Sequence, residues 1–261
     1  VSDVIRSPLL QELGFLHGFS LRTGGTSTGG FASLNLGRAV GDDPERVELN
    51  HRRFAQAVGY EPGALFESSQ VHGADLRVLS AEDEPAAVRT EEADALLAVH
   101  AGAAVGVRVA DCVPLLLADV NSGVVAAVHA GWRGTVSGVV EAAFQGLLMA
   151  GSGDPSAVVA AIFPHIRRCC FEVGDDVAAT LAAASRDHDV VDRTREKPHV
   201  DLERVVTAKL LALGVPATRI DRVVGCTRCE PERYFSFRRD GQRSGRHVAA
   251  IVARGQIGPR S

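Results

Sequence analysis

Cys112 and His129 are the residues of this 261-residue chain whose types and spacing argue most directly for chemistry. They lie on either side of the turn Asp119-Val120-Asn121-Ser122-Gly123, and an antiparallel hairpin over residues 113–119 and 123–129 brings them to one end. A two-residue loop pairing Val120 with Gly123 sets Cys112 opposite Gly131, with His129 diagonal to it. A four-residue loop pairing Ala118 with Gly123 sets Cys112 directly opposite His129. In both registers the two side chains share a face, because strand side chains alternate with period two. A three-residue loop puts them on opposite faces. Cross-strand neighbours have Cβ atoms ~4.5–5.5 Å apart, close enough for a thiol and an imidazole to share a metal ion or a proton. Pro114 cannot donate to a ladder, so Cys112 is expected where pairing frays, a common place for reactive groups.

Beyond His129 comes Ala130-Gly131-Trp132-Arg133-Gly134-Thr135, then an amphipathic stretch. A strand, a glycine-bearing turn and a helix N-terminus together can receive an anion, and Arg133 adds a fork-shaped donor. The stretch alone serves equally as a tight structural connection. The loop from Arg22 to Gly30 is rich in glycine and hydroxyl residues, which lets its backbone approach a neighbour closely. Cys226 and Cys229 form a C-x-x-C, but no second C-x-x-C or nearby paired histidine completes a zinc motif, so packed or idle thiols are expected there. Adjacent Cys169 and Cys170 are expected to be buried by packing. His17, His51, His100, His188 and His199 have no motif around them, and His165 follows a strand as a weaker pocket candidate.

The elements that must position these groups follow from periodicity. Asp43 and Pro44 start a helix over 43–58, with Val47, Phe54 and Val58 at helical spacing. Residues 65–79 read as strand interrupted at Gly73, and 81–92 as an acidic flexible stretch. Strands are expected at 103–110, 115–118, 124–129, 157–163, 220–225 and 247–253. Helices are expected at 136–148, ending near Gly151, and at about 174–184 and 201–213. No internal repeat or linker is visible, which favours a single domain over residues 1–261 of α/β type.

Composition bounds the partners. A 46% hydrophobic content supplies an ordinary globular core, and the formal net charge of -4 argues against nucleic-acid binding. Arginines gather at 228, 233, 238, 239, 243 and 246, but Glu230, Glu232 and Asp240 interrupt them, which suggests a solvated, partly paired surface. The apolar region 93–118 is broken by His100, Arg108 and Asp111, short of the ~20 residues a membrane span needs. The first residues carry no secretory pattern, and five cysteines without one suggest reduced thiols and a cytoplasmic protein.

Taken together, several blocks resemble the YfiH-like family, also called laccase-domain or polyphenol-oxidase-like proteins. They are Arg22-Thr23-Gly24-Gly25 with Ser27, Ser33-Leu34-Asn35-Leu36-Gly37, Gln70-Val71-His72-Gly73, Ala93-Asp94-Ala95, and Ala110-Asp111-Cys112-Val113-Pro114. They continue with His129-Ala130-Gly131-Trp132-Arg133-Gly134, Cys169-Cys170-Phe171-Glu172-Val173-Gly174, and Phe235-Ser236-Phe237-Arg238-Arg239-Asp240 with Ser244-Gly245-Arg246. The resemblance implies an α+β fold, one layered α/β/β/α domain with mixed sheets, related to the cysteine-hydrolase toxins of the cytotoxic necrotizing factor type. It implies a catalytic zinc on His72, Cys112 and His129, and His72 enters on that ground alone. It also implies purine nucleoside chemistry: phosphorolysis of adenosine, inosine and methylthioadenosine, and hydrolytic deamination of adenosine. One departure is Phe163-Pro164-His165-Ile166, where the family usually has Gly-Pro-x-Ile, and it bears on the substrate range.

Two imidazoles and a thiolate leave a fourth zinc position open. Zinc lowers the pKa of water from ~15.7 towards ~7, which suits hydrolytic attack at purine C6. Asp111, next to Cys112, is the candidate for handling protons or supporting a ligand; its other reading is a turn carboxylate bonding nearby amides. Arg22 and Arg133 are the candidates for binding phosphate. Two further readings compete: a metal-free cysteine hydrolase with Cys112 as nucleophile and His129 as base, and a factor editing peptidoglycan precursors. Copper oxidation is disfavoured, since the nine histidines include no His-x-His pair.

Overall fold

The computed structural model describes residues 4–255. Thirteen strands run in chain order: β1 (Val4–Ile5), β2 (His17–Ser20), β3 (Leu65–Phe66), β4 (Leu76–Val78), β5 (Ala95–Ala98), β6 (Ala104–Val109), β7 (Val113–Asp119), β8 (Val125–Ala130), β9 (Val158–Ile162), β10 (Val191–Asp192), β11 (His199–Val200), β12 (Ile220–Arg222) and β13 (His247–Val252). One sheet has the order β1-β2-β13-β6-β3 and a larger one β12-β9-β7-β8-β5-β4, with β10 and β11 a separate pair. Both large sheets are mixed: β3–β6, β4–β5 and β9–β12 are parallel pairs, the rest antiparallel.

The sheets face each other across an apolar layer that includes Phe19, Val105, Val107, Leu116, Ala127, Phe163 and Ile251. The helix Pro44–Val58 covers the outer face of the smaller sheet through Phe54, Ala55 and Val58. The helices Val139–Ala150, Asp175–Ala183 and Leu202–Ala212 cover the outer face of the larger one. The result is the α/β/β/α layering that the resemblance implies. The valine-rich strands have apolar residues on both sides because β6 to β9 are buried on both faces.

Three sequence expectations change in detail. The hairpin takes the register of the two-residue alternative, with Pro114 opposite His129 and Val113 opposite Ala130. Its loop is nonetheless wider: Asp119 pairs with Val124, leaving residues 120–123 outside the ladder. The Asp119 carboxylate accepts from the Asn121 and Ser122 amides, which fixes that turn. The helix expected over 136–148 is broken at left-handed Gly138 into Trp132–Ser137 and Val139–Ala150. Residues 65–79 divide between sheets, β3 in the smaller and β4 in the larger, so the stretch between them crosses from one layer to the other. The connection from β6 to β7 makes the same crossing.

Phe163 lies wholly inside the layer between the sheets, stacked on Phe19 at 5.9 Å. Its bulk therefore fills core space. Phe163→Ala is expected to cost about 3–5 kcal/mol of unfolding free energy, as other buried aromatic truncations do. Urea denaturation measures it, and a loss below about 1 kcal/mol would contradict the core placement.

Candidate metal centre and its cavity

His72, Cys112 and His129 meet because the two crossings between sheets occur at the same end of the sandwich. Cys112 ends the β6–β7 crossing, His129 is the penultimate residue of β8, and His72 sits in the β3–β4 crossing. Cys112 and His129 share the face turned to the smaller sheet, as their matching parity requires. Their ligand atoms and that of His72 all lie within 4.8 Å of one another. The His72 Nε2 is 3.9 Å from the Cys112 Sγ, and the two imidazole rings meet edge to face at 4.8 Å.

Asp94, just before β5, holds this arrangement. Its carboxylate accepts hydrogen bonds from the backbone amides of Val71, His72 and Gly73 at 2.7–3.0 Å and lies 2.6 Å from the His129 Nδ1. The bonds fix a turn in which His72 adopts a left-handed backbone, φ 62°. Asp94 also orients the His129 ring, leaving Nε2 to face the cluster. The two glycines after His129 complete the fit. A Cβ on Gly131 would lie 2.9 Å from the His72 ring and 3.3 Å from the Cys112 Sγ, and one on Gly134 would lie 2.6 Å from the Gly73 carbonyl oxygen. The helix Trp132–Ser137 can rest on the His72 turn only because both positions lack side chains.

The charges reinforce one another. Burial works against ionising Cys112, yet the neighbouring His129 and His72 draw its thiol down to about 6. Burial also opposes charge on His129, but Cys112 and Asp94 carry its imidazolium up to about 9. Asp94 stays below the usual carboxylate range: burial pushes it up, and His129 with the Gly73 and Val71 amides outweighs that. Without a metal the pair is thus a thiolate and an imidazolium between those two values. With neutral imidazoles it is a ready ligand set.

The cluster forms part of the wall of a cavity of about 460 Å³. Arg38, Arg108, Arg238 and Arg246 bring four guanidinium groups to its lining, and Phe171 and Phe237 two aromatic rings. Phe171 is buried and Phe237 is 48% exposed. Arg238 lies over the Phe171 ring and Arg246 over that of Phe237.

A family model described as multi-copper polyphenol oxidoreductase laccase matches residues 16–254. The chain belongs to that family. Among similar laccase-domain proteins, a purine nucleoside phosphorylase of Streptomyces coelicolor is 40% identical over 225 residues, 85% of this chain and 89% of the relative. An adenosine deaminase from an unknown prokaryotic organism is 36% identical over 231 residues, 85% of this chain and 87% of the relative. The crystal structure of YlmD from Geobacillus stearothermophilus superposes with a TM-score of 0.89 at 33% identity, covering 97% of this chain and 96% of that one.

Not every residue singled out from the sequence reaches this laccase-domain cavity. Arg22 binds the Ala32 and Pro231 carbonyl oxygens and lies over Phe235, beside a separate hollow. Arg133 stacks on Trp132 and is outside the lining. Asp111 does border the cavity, but one carboxylate oxygen accepts from the Thr227 hydroxyl and the other from the Arg238 amide, each at 2.6 Å. Both partners are distant in sequence, so these contacts tie separate loops together beside Cys112 and are not the nearby amides of a turn. His165 is buried behind the cavity, its Nδ1 on the Phe163 carbonyl oxygen. Asp94 and the four arginines were not picked out as site residues. Asp94 and Arg108 carried a signal, a charge immediately before the apolar run that becomes β5 and one inside the run that becomes β6, whereas Arg38 carried none. The remaining cysteines, Cys169, Cys170, Cys226 and Cys229, converge on one point. No helix among the described residues is long and apolar enough to cross a membrane.

Asp94→Asn removes the charge from the hub and changes the partner of His129 Nδ1. The expected result is a folded protein with metal affinity weakened about 10–100-fold, measured by competition with a chromophoric chelator. In chelator-treated protein, alkylation of the Cys112 peptide by iodoacetamide is expected to rise with pH around a midpoint near 6. The sign follows from the lowered pKa, which populates the thiolate above that pH. A midpoint near the ~8.5 of an ordinary thiol would contradict the pairing with His129.

Proposed function

We propose that this chain is a zinc-dependent purine nucleoside enzyme that catalyses phosphorolysis of adenosine, inosine and methylthioadenosine and hydrolytic deamination of adenosine. The observation that carries the reading is a two-histidine, one-cysteine cluster opening into a cavity lined by four arginines and two phenylalanines. The activities named for the relatives from Streptomyces coelicolor and the unknown prokaryote support it.

The donor set fits zinc. Ligand atoms bonded to one zinc at ~2.0–2.3 Å stand ~3.3–3.8 Å apart in a tetrahedron, so the 3.9 Å between Cys112 and His72 requires little movement. His72, Cys112 and His129 would hold the ion, and Asp94 would fix the His129 tautomer. When bound, zinc supplies Lewis-acid charge and lowers the pKa of water. The protein supplies the rest. Phe237, half exposed at the cavity, offers a face for the purine. Guanidinium groups carry five donors each, and Arg108 and Arg246 spend part of theirs on Glu67, Ser68, Ser244 and Gly245. The remainder suits phosphate. Asp111 is a positioning group whose carboxylate ties Thr227 and Arg238 to the backbone beside Cys112.

A second reading has its own observation: the thiol lowered to about 6 beside an imidazolium raised to about 9 is the pair a cysteine hydrolase needs. Metal dependence separates the two.

The purified protein, assayed with inosine plus phosphate and with adenosine alone, is expected to turn over both and to lose both on chelation. Inactivity on every nucleoside with zinc bound would overturn the substrate assignment. Activity undiminished by chelation would favour the hydrolase. Arg246→Met is expected to raise the KM for phosphate about 10–100-fold, the worth of one charged hydrogen bond, while deamination changes little.

A further inference from the structure

We infer that Cys169, Cys170, Cys226 and Cys229 form a second, structural zinc site that clips together two loops of the cavity wall. This site is separate from the His72–Cys112–His129 cluster and does not depend on the function proposed above.

The four sulfurs gather from two distant stretches of chain. Cys169 Sγ lies 3.7 Å from that of Cys170 and 3.6 Å from those of both Cys226 and Cys229, and Cys170 and Cys229 are 3.2 Å apart. A tetrahedral zinc with Zn–S bonds of ~2.3 Å holds its sulfurs ~3.8 Å apart, so the four stand close to the corners that ion requires. Cys169 meets all three of the others, which pairwise bonding into disulfides does not call for. Arg195 adds a guanidinium on the Cys169 carbonyl oxygen. Cys170 and Cys226 are buried while Cys169 and Cys229 are exposed, which leaves a path for the ion to enter.

The placement gives the site a purpose. The two stretches already touch through one parallel bridge, His165 with Cys226, and a bond from the Thr227 amide to the His165 carbonyl oxygen. The first stretch carries Ile166 and Phe171 of the cavity lining. The second carries Thr227, whose hydroxyl binds Asp111, the neighbour of Cys112. A tetrathiolate zinc would lock these parts in register, and its four ligands leave no open position for catalysis.

The test is metal analysis of protein expressed with zinc supplied. Wild type is expected to hold about two zinc ions per chain. His72→Ala should retain one, and Cys229→Ser should lose one while keeping the other. On the His72→Ala background, replacing zinc by cobalt(II) should give the intense visible and near-ultraviolet bands of a tetrahedral tetrathiolate. That readout needs no cysteine variant to fold. A mass deficit of two hydrogens per bond, revealing disulfides among the four, would overturn the proposal. So would reactivity of all four thiols towards a disulfide reagent in the zinc-replete native protein. Failure at the other cluster would appear as a single zinc retained in wild type and in His72→Ala alike, so the two claims fall separately.

Discussion

The buried Asp94 carboxylate joins two elements that the chain separates by more than fifty residues. One oxygen reaches the ring of His129 and the His72 amide, and the other takes the amides of Val71 and Gly73. A left-handed backbone at a non-glycine residue such as His72 costs about 1–2 kcal/mol. Hydrogen bonds to a charged acceptor contribute about 1.5–3 kcal/mol each, so three of them exceed that strain. The turn is therefore held in a conformation that it would not adopt alone. The same carboxylate fixes which nitrogen of His129 faces Cys112, so ligand placement and ligand electronics have one source.

The rest of the architecture serves to keep that hub dry and aligned. Asp94 immediately precedes β5, which pairs with β8, and its carbonyl oxygen accepts the His129 amide, so the residue and its histidine partner sit side by side at the end of the ladder. The smaller sheet closes over the hairpin face that bears Cys112 and His129. Between the sheets the apolar layer, including the stacked Phe19 and Phe163, fixes their separation. Charge is then distributed by role. The carboxylates of Asp94 and Asp111 are taken up by hydrogen bonds within the protein, and four arginines line the cavity beside Asp111.

How much of this was readable beforehand depended on the range of each interaction. Strand parity put Cys112 and His129 on one face without knowing the loop, and the observed register lies within the same parity class. The alternating and helical periods located β6 to β9, β13 and the main helices, because local burial dictates them. His72 could not be located that way. Its place depends on the β3–β4 segment crossing between layers, and no local period encodes a crossing. Short elements, among them Pro8–Glu12, β2, Pro85–Val88, β5, β10, β11 and Phe237–Asp240, were missed because each is too brief to show a period or is continuous apolar sequence. The cysteines illustrate the same limit. Cys169-Cys170 and the C-x-x-C each looked incomplete, and only the bridge between His165 and Cys226 supplies the missing half. Arg22 and Arg133 seemed suited to phosphate by type, but their guanidinium groups are engaged at the protein's own carbonyls and at Trp132.

The central claim is that Asp94 preorganises a zinc site on His72, Cys112 and His129. Crystals of the zinc-replete protein, measured on both sides of the zinc absorption edge, test it most directly. The account expects an anomalous peak present only above the edge, ~2.0–2.3 Å from His72 Nε2, Cys112 Sγ and His129 Nε2. Zinc-replete crystals that show all three side chains in place with no such peak between them would contradict it.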